Sequence, residues 1–578
     1  MRGPQCDWGF SDLRSAFCRP RPPRWCAWAT AAGEDRYENS IRKDFFKMKH
    51  AIQLQADAKQ EGTKFNHFWS LCVGAGRANE GLRAGWLEQL AMVRKACGFQ
   101  YLRFHGLFHD DMFVYREIDG RAVFNFQYVD ELFDRMLAIG VKPFVEFGFC
   151  PADLATEVGT VFWWKGNGSP PKDNAKWAGL IDKTVRHWVE RYGMEEVRSW
   201  YFEVWNEPNL HPFFKGTKSQ YFELYRVTAR AVKAIDEKLR VGGPATSNFV
   251  PDARFAVETE DFTQHALVVD SNNLDELDWR PVWVEEFLAF CQREKLPVDF
   301  VSCHPYPTDW ALDSHGKTVK QTRGIDATRT DLTTIRDIVG SSSYPDAEIH
   351  LTEWSSSPSP RDCTHDYPQA ATFVVKTNLE SLGLVDSLSY WTFSDVFEEG
   401  GAGDTAFHGG FGLVNYQGIA KPTFHAYRFL HQLGDELLAS TQGGVITRDR
   451  ATGRLAALCY HYPAEIPQSA PASFDRPEVA ERTLSTGSEC AMDLRLTGLA
   501  PLAEISVEVL DAQHGNVVAA WERLGQPHSP SRNEIVALRE AANATEKVVG
   551  RADAQGAITF KRMLPPWAVV FVRELARK

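Results

Sequence analysis

Two glutamates carry the sharpest chemical signal in this chain. The first stands in Glu203-Val-Trp-Asn-Glu-Pro-Asn209. The run 200–205 is apolar enough for a strand, and Pro208, which cannot extend a ladder, ends it where Glu207 would emerge. Asn206, directly before it, offers an amide to a substrate hydroxyl. The second stands in Ile349-His-Leu-Thr-Glu353-Trp354, again a hydrophobic strand ending in Glu and then Trp. Two carboxyl groups facing one cleft suit cleavage of an acetal. One, kept protonated by burial or by its neighbour's charge, gives a proton to the leaving oxygen; the other, ionised, attacks the anomeric carbon. A separation of about 5–5.5 Å means retention of configuration and about 6.5–9.5 Å inversion, a distance the sequence alone does not supply.

The elements that must position this pair follow from periodicity. Short apolar runs at 68–73, 101–105, 142–147, 200–205, 239–243, 298–303, 348–352 and 387–392 alternate with helix-period segments such as Ile181, Val185, Trp188 and Tyr192. Eight β/α repeats predict an α/β chain with a (β/α)8 TIM barrel over 64–435, which sets strands four and seven across the mouth from each other. A doubly wound sheet would usually carry a Gly-rich phosphate loop after its first strand, and Gly74-Ala75-Gly76 lacks the third glycine. Long segments at 108–127, 149–176, 245–281, 304–324 and 393–421 all follow strands, on the face where barrel enzymes build their sites. Beyond 435 the texture changes. Runs at 445–447, 455–460, 492–496, 505–510 and 569–572, with a hairpin turn at 450–453 and a short helix at 533–543, predict a β-sandwich accessory domain over 436–578. Residues 41–63 are expected to join it. Residues 1–40 are expected to be a disordered tail: the first thirty hold Arg2, Arg14, Arg19, Arg21 and Arg24 but no apolar stretch of the kind a secretory signal needs.

Composition narrows the function classes. Among 578 residues, 64 Lys and Arg against 76 Asp and Glu give a net charge of −12, a poor basis for nucleic-acid binding. No run approaches 18 apolar residues, so no membrane partner is expected. The 11 cysteines are scattered, without a Cys-x-x-Cys pair, which favours reduced thiols in a cytoplasmic protein, or a periplasmic one if translation starts elsewhere. His105, His109, Asp110 and Asp111 lack a specific ligand spacing, so neither a metal nor another cofactor is expected. The 12% aromatic content mildly favours carbohydrate partners.

The pieces together resemble glycoside hydrolase family 39, the bacterial β-xylosidases with α-L-iduronidases as relatives, within the large retaining clan of (β/α)8 glycosidases. The resemblance runs from about residue 62 to the C-terminus. It rests on Asn206-Glu207-Pro208 with Glu353, and on Phe68-Trp69, Cys72-Val73-Gly74, Arg103-Phe-His105 and Asp110-Asp111. It continues through His304-Pro-Tyr306-Pro, Tyr390-Trp391, Glu398-Glu399 and Asp511-Ala-Gln-His514-Gly515-Asn516. It implies Glu207 as acid/base, Glu353 as nucleophile, and Asn206 on the 2-hydroxyl. It also implies a sugar subsite lined by Arg103, His105, His304, Tyr306 and Trp391, with Glu398 and Glu399 on sugar hydroxyls and Trp163 and Trp164 in an aromatic wall. The activity implied is a retaining exo-glycosidase that takes β-D-xylose from the non-reducing ends of xylo-oligosaccharides. Iduronate would meet repulsion from Glu398 and Glu399, whereas α-L-arabinosidase activity fits the same pocket. A non-catalytic sugar-binding barrel is the rival of a different class. Family members are often oligomers, so a homo-oligomer is an expectation with no interface legible in the chain.

Overall fold

The computed structural model describes residues 51–247, 249–251, 277–309 and 321–576. Apolar strands buried on both faces need helices around them, and the chain supplies these by strict alternation. The strands are β1 Cys72–Arg77, β2 Tyr101–His105, β3 Lys142–Phe147, β4 Tyr201–Val204, β5 Arg240–Ser247, β6 Phe300–His304, β7 Glu348–Trp354 and β8 Ser387–Tyr390. Each pairs in parallel with the next, and β8 closes onto β1 through Tyr390 and Val73, so the eight form a closed barrel. The helices that follow them are α1 Ala84–Cys97, α2 Gln127–Ile139, α3 Asn174–Tyr192, α4 Lys218–Ile235, α5 Val284–Glu294, α6 Ala327–Ser341, α7 Pro368–Glu380 and α8 Pro422–His431. In α3 the Asp173 side chain caps the N-terminus, and Trp177, Ile181, Val185 and Trp188 form the buried stripe.

The bounds of several strands shift by one or two residues, and two strands depart further, for identifiable reasons. The first was expected at 68–73, but Phe68–Ser70 is a buried 3-10 turn and β1 begins at Cys72. It runs through Gly74-Ala75-Gly76, which reads locally as loop. A Cβ on Gly74 would stand 2.3 Å from the Trp391 ring, and one on Gly76 2.3 Å from a Glu80 oxygen. Partners distant in sequence thus dictate the small residues. The fifth strand continues past 243 to Ser247, passing Pro244 by a bulge between Pro244 and Thr246. The expected insertions at 245–281 and 304–324 lie partly outside the described residues, as do the expected tail at 1–40 and the start of segment 41–63.

The C-terminal residues build two sheets. Glu436–Thr441, Gly444–Arg448, Leu455–Tyr460, Val569–Glu574, Glu504–Leu510 and Glu546–Arg551 form one, with Thr63–Lys64 at its edge. Cys490–Thr497 forms the other, flanked by Ile558–Leu564 and by Ala51–Asp57, which runs parallel to it. Ile52, Leu54 and Ala56 alternate inward and share one apolar cluster with Ile446, Ala457, Val507 and Val570 of the larger sheet. Among the described residues, no helix is long and apolar enough to cross a membrane and no cysteine is in a disulfide.

Candidate active site

Five strands deliver the site, the three neighbours β2, β3 and β4 and, across from them, β6 and β7. Arg103 and His105 alternate on β2, Glu146 lies on β3, and Glu203 lies on β4 in register with it. Just past β4 the backbone enters the left-handed region at Trp205 (φ 72°) and Glu207 (φ 46°). Such values are strained for residues with a Cβ, and the Glu207 N–H is held by the Ala245 carbonyl at 2.8 Å. His304 ends β6, with Tyr306 just beyond, and Glu353 sits near the end of β7.

Arg103 is the hub, and it is fully buried. Its Nε donates to Glu203 Oε2 at 2.7 Å, Nη1 to Glu353 Oε1 at 2.6 Å and Nη2 to Asn206 Oδ1 at 2.8 Å, while Glu146 Oε2 lies 3.1 Å from Nη2. The Asn206 amide is oriented by that bond. His105 Nδ1 meets Glu146 at 2.6 Å, and its Nε2 is 3.5 Å from Glu353 and 3.3 Å from Glu399. Burial opposes charge on His105, but the Glu146 carboxylate and its hydrogen bond override this and lift the imidazole to about 10. Glu353 Oε2 accepts from Tyr306 at 3.2 Å. Burial and nearby carboxylates hold the Tyr306 phenol well above its ordinary value, so it stays a donor.

The two central carboxyl groups have opposite surroundings. Burial pushes Glu353 up to about 7, against Arg103 and His105, which favour its ionised form. Burial also raises Glu207 well above the carboxylate range, and the Glu353 charge adds to this. Among the described residues no guanidinium is paired with Glu207; its neighbour is His304, whose Nδ1 is 3.0 Å from Oε1. Glu207, His304 and Glu353 bring one nitrogen or oxygen each within 4.8 Å of one another. One oxygen of each carboxyl group is therefore within 4.8 Å of the other, an approach on the short side that a retaining pair requires. These three atoms could also surround a cation, but Arg103 and His105 already place positive charge on that side.

The loop after β8 completes the wall. Trp391 packs on His105 with centroids 4.8 Å apart, and Arg103 lies over its ring at 5.7 Å. Glu399 reaches His105, and burial raises its carboxyl. Glu398 is held between Arg77 and Arg83, at 3.0 and 2.8 Å. The Trp163 side chain is exposed and its backbone N–H donates to the Glu399 carbonyl, whereas Trp164 is buried with Arg77 over its ring. Beneath this loop, Lys421 donates to Gly410 O at 2.9 Å and pairs with Asp366 and Asp395, each at 2.6 Å, all three side chains being buried.

Comparison with known proteins decides the lineage. The family described as glycosyl hydrolases family 39 matches residues 51–268 and 275–559. The chain belongs to glycosyl hydrolase family 39. A beta-xylosidase of Geobacillus stearothermophilus is 39% identical over 489 residues, covering 83% of this chain and 87% of that protein. A beta-xylosidase of Caldicellulosiruptor saccharolyticus is 36% identical over 513 residues, covering 88% and 95%. The crystal structure of a monomeric beta-xylosidase from Caulobacter crescentus superposes with a TM-score of 0.77 at 32% identity, over 91% of this chain and 99% of that one.

The site of this family 39 chain brings together Arg103, His105, Asn206, Glu207, His304, Tyr306, Glu353, Trp391 and Glu399. Glu398 stands apart on its two arginines. Sequence reasoning passed over Glu146, Glu203, Thr352 and Arg77. The signal for the first two was present: a lone acid inside an apolar strand, as in Lys142-Pro-Phe-Val-Glu146-Phe, requires a buried cation partner. Arg77 gave no such signal, because it follows the small residues that hid β1.

Proposed function

We propose that this chain is a retaining exo-β-xylosidase acting by double displacement. The observation that carries this reading is the close approach of Glu207 and Glu353, of which Glu353 is the one that Arg103 bonds. The ionised oxygen of Glu353 attacks the anomeric carbon while Glu207 protonates the departing glycosidic oxygen. A glycosyl ester forms on Glu353. Its charge then gone, Glu207 is a weaker acid-holder and takes a proton from water, whose oxygen replaces the ester oxygen on carbon. Both displacements invert, so the product keeps the β configuration. Arg103, His105, Asn206, His304, Tyr306, Trp391 and Glu399 line the sugar subsite.

The β-xyloside substrate is supported by the two β-xylosidases to which the chain is similar. Repulsion of a uronate rests on Glu399, since Arg77 and Arg83 meet the charge of Glu398. The deciding experiment is proton NMR of the first sugar released from 4-nitrophenyl β-D-xyloside, beside the matching α-L-iduronide. Rapid appearance of β-xylose is expected; α-xylose would mean inversion, and cleavage of the iduronide alone would overturn the substrate. Glu207→Ala is expected to spare 2,4-dinitrophenyl xyloside, whose leaving group needs little acid, and to disable the phenyl xyloside; equal losses would contradict the acid role.

A further inference from the structure

The hydrogen bonds around His304 leave one consistent placement of protons. Glu203 is fully buried and accepts from the Arg103 guanidinium through Oε2 at 2.7 Å, so as a carboxylate it donates nothing. Its Oε1 lies 2.7 Å from Thr352 Oγ1, where only the Thr352 proton makes two oxygens attract. A hydroxyl has one proton. Thr352 Oγ1 is also 2.9 Å from His304 Nε2, so there it accepts, and His304 carries its proton on Nε2. Burial, with the charges of Arg103 and His105, holds His304 well below its ordinary value, so the ring is neutral. Its Nδ1 therefore presents a bare lone pair 3.0 Å from Glu207 Oε1, a hydrogen bond only if Glu207 bears the proton.

We propose that Glu203 and Thr352 are positioning residues that, by fixing the tautomer of His304, hold the catalytic proton on Glu207. This rests on the reading of Glu207 as the acid. In the first step the Glu207 O–H bond breaks and its proton goes to the glycosidic oxygen, as that oxygen leaves carbon and Glu353 bonds to it. The new Glu207 carboxylate faces the Nδ1 lone pair, which repels it and keeps it a strong base toward the attacking water. The opposite tautomer would donate Nδ1–H to the carboxylate, stabilising it, so that Glu207 would lose its proton at lower pH and would be a weaker base in the second step. Other groups also face Glu207: Glu353 and Glu399 add to its proton affinity, Arg103 and His105 reduce it, and the Tyr306 phenol is neutral. None of these side chains is hydrogen-bonded to the Thr352 hydroxyl, whose partners are His304 and Glu203.

Thr352→Val removes that hydroxyl at nearly constant volume and frees His304 to protonate Nδ1. The basic limb of kcat/KM for 4-nitrophenyl β-D-xyloside is expected to move down by about one pH unit, with the acidic limb in place. Thr352→Ser is expected to restore it. An active Thr352→Val enzyme with an unmoved basic limb overturns the proposal, because a structural loss lowers the rate without shifting the limb. Neutron diffraction from deuterium-exchanged crystals of the full chain needs no variant and no turnover. Deuterium on His304 Nε2 and on Glu207 supports the relay; deuterium on Nδ1 overturns it. A wild-type enzyme inert to the xyloside would strike the proposed substrate alone, and the neutron map would still decide the relay.

Discussion

Two buried cations organise this barrel, and they do so differently. Lys421 sits beneath the loop after β8 with Asp366, Asp395 and the Gly410 carbonyl. Both carboxylates also accept backbone N–H groups, from Gly409 and Gly412. The set is closed, and its effect is to pin the loop that carries Glu398 and Glu399. Arg103 holds an open set. Two of its partners, Glu146 and Glu203, lie deeper in the barrel, but the third, Glu353, sits beside Glu207, where a substrate would lie. A buried ion pair contributes little net stability, and removing one partner is costly in either place. The difference lies in what is left available: the lysine satisfies its anions, while the arginine favours the ionised form of one carboxyl group, which stays beside Glu207.

The largest expected effect removes that anion. Glu353→Ala should fold and lose kcat by about four orders of magnitude or more, since no ester can form. Added azide should restore turnover and give the α-glycosyl azide; a β-azide would reassign the residue. Next, Lys421→Met strands two buried aspartates and should lower unfolding stability by about 3–5 kcal/mol in urea titration. The pH limbs of the surviving activity should not move, and a shift in either would break the distinction between the two cations. Arg103→Lys keeps the charge but loses the planar fork, so Glu353 loses part of what favours its ionised form. The acidic limb of kcat/KM should rise by about one unit, and an unchanged limb would mean that Arg103 merely braces the barrel. The smallest test needs only the wild type. Activity should increase with pH as Glu353, pushed up to about 7, loses its proton, and fall at higher pH as Glu207 loses its own. An acidic limb near the ordinary carboxylate range would show that burial does not govern Glu353.

The alternation that defines the barrel was legible because apolar runs and helical stripes are local patterns, and Glu207 and Glu353 stood out because each ends such a run. What was illegible depends on distant partners. The glycines of β1 make sense only once Trp391 and Glu80 pack against them. Glu146 and Glu203 look like isolated acids until the Arg103 side chain reaches both from β2. In the C-terminal sheets, Glu546–Arg551 escaped notice because Lys547, Val548, Val549 and Arg551 are all exposed, so no inward-facing alternation marks the strand.

The strand Ala51–Asp57 has a consequence for how the chain is made. It precedes the whole barrel, yet its ladder partner is Cys490–Thr497, and the Asp57–Thr497 side-chain bond spans 440 residues. At a synthesis rate of about 5–20 residues per second, this segment waits roughly 20–90 s on the ribosome for a partner to exist. During that interval Ile52, Leu54 and Ala56 have no sheet to cover them. Among the described residues the entire barrel is thus a loop inserted between two paired strands of the small sheet, and the ribosome must finish the barrel before that sheet can close.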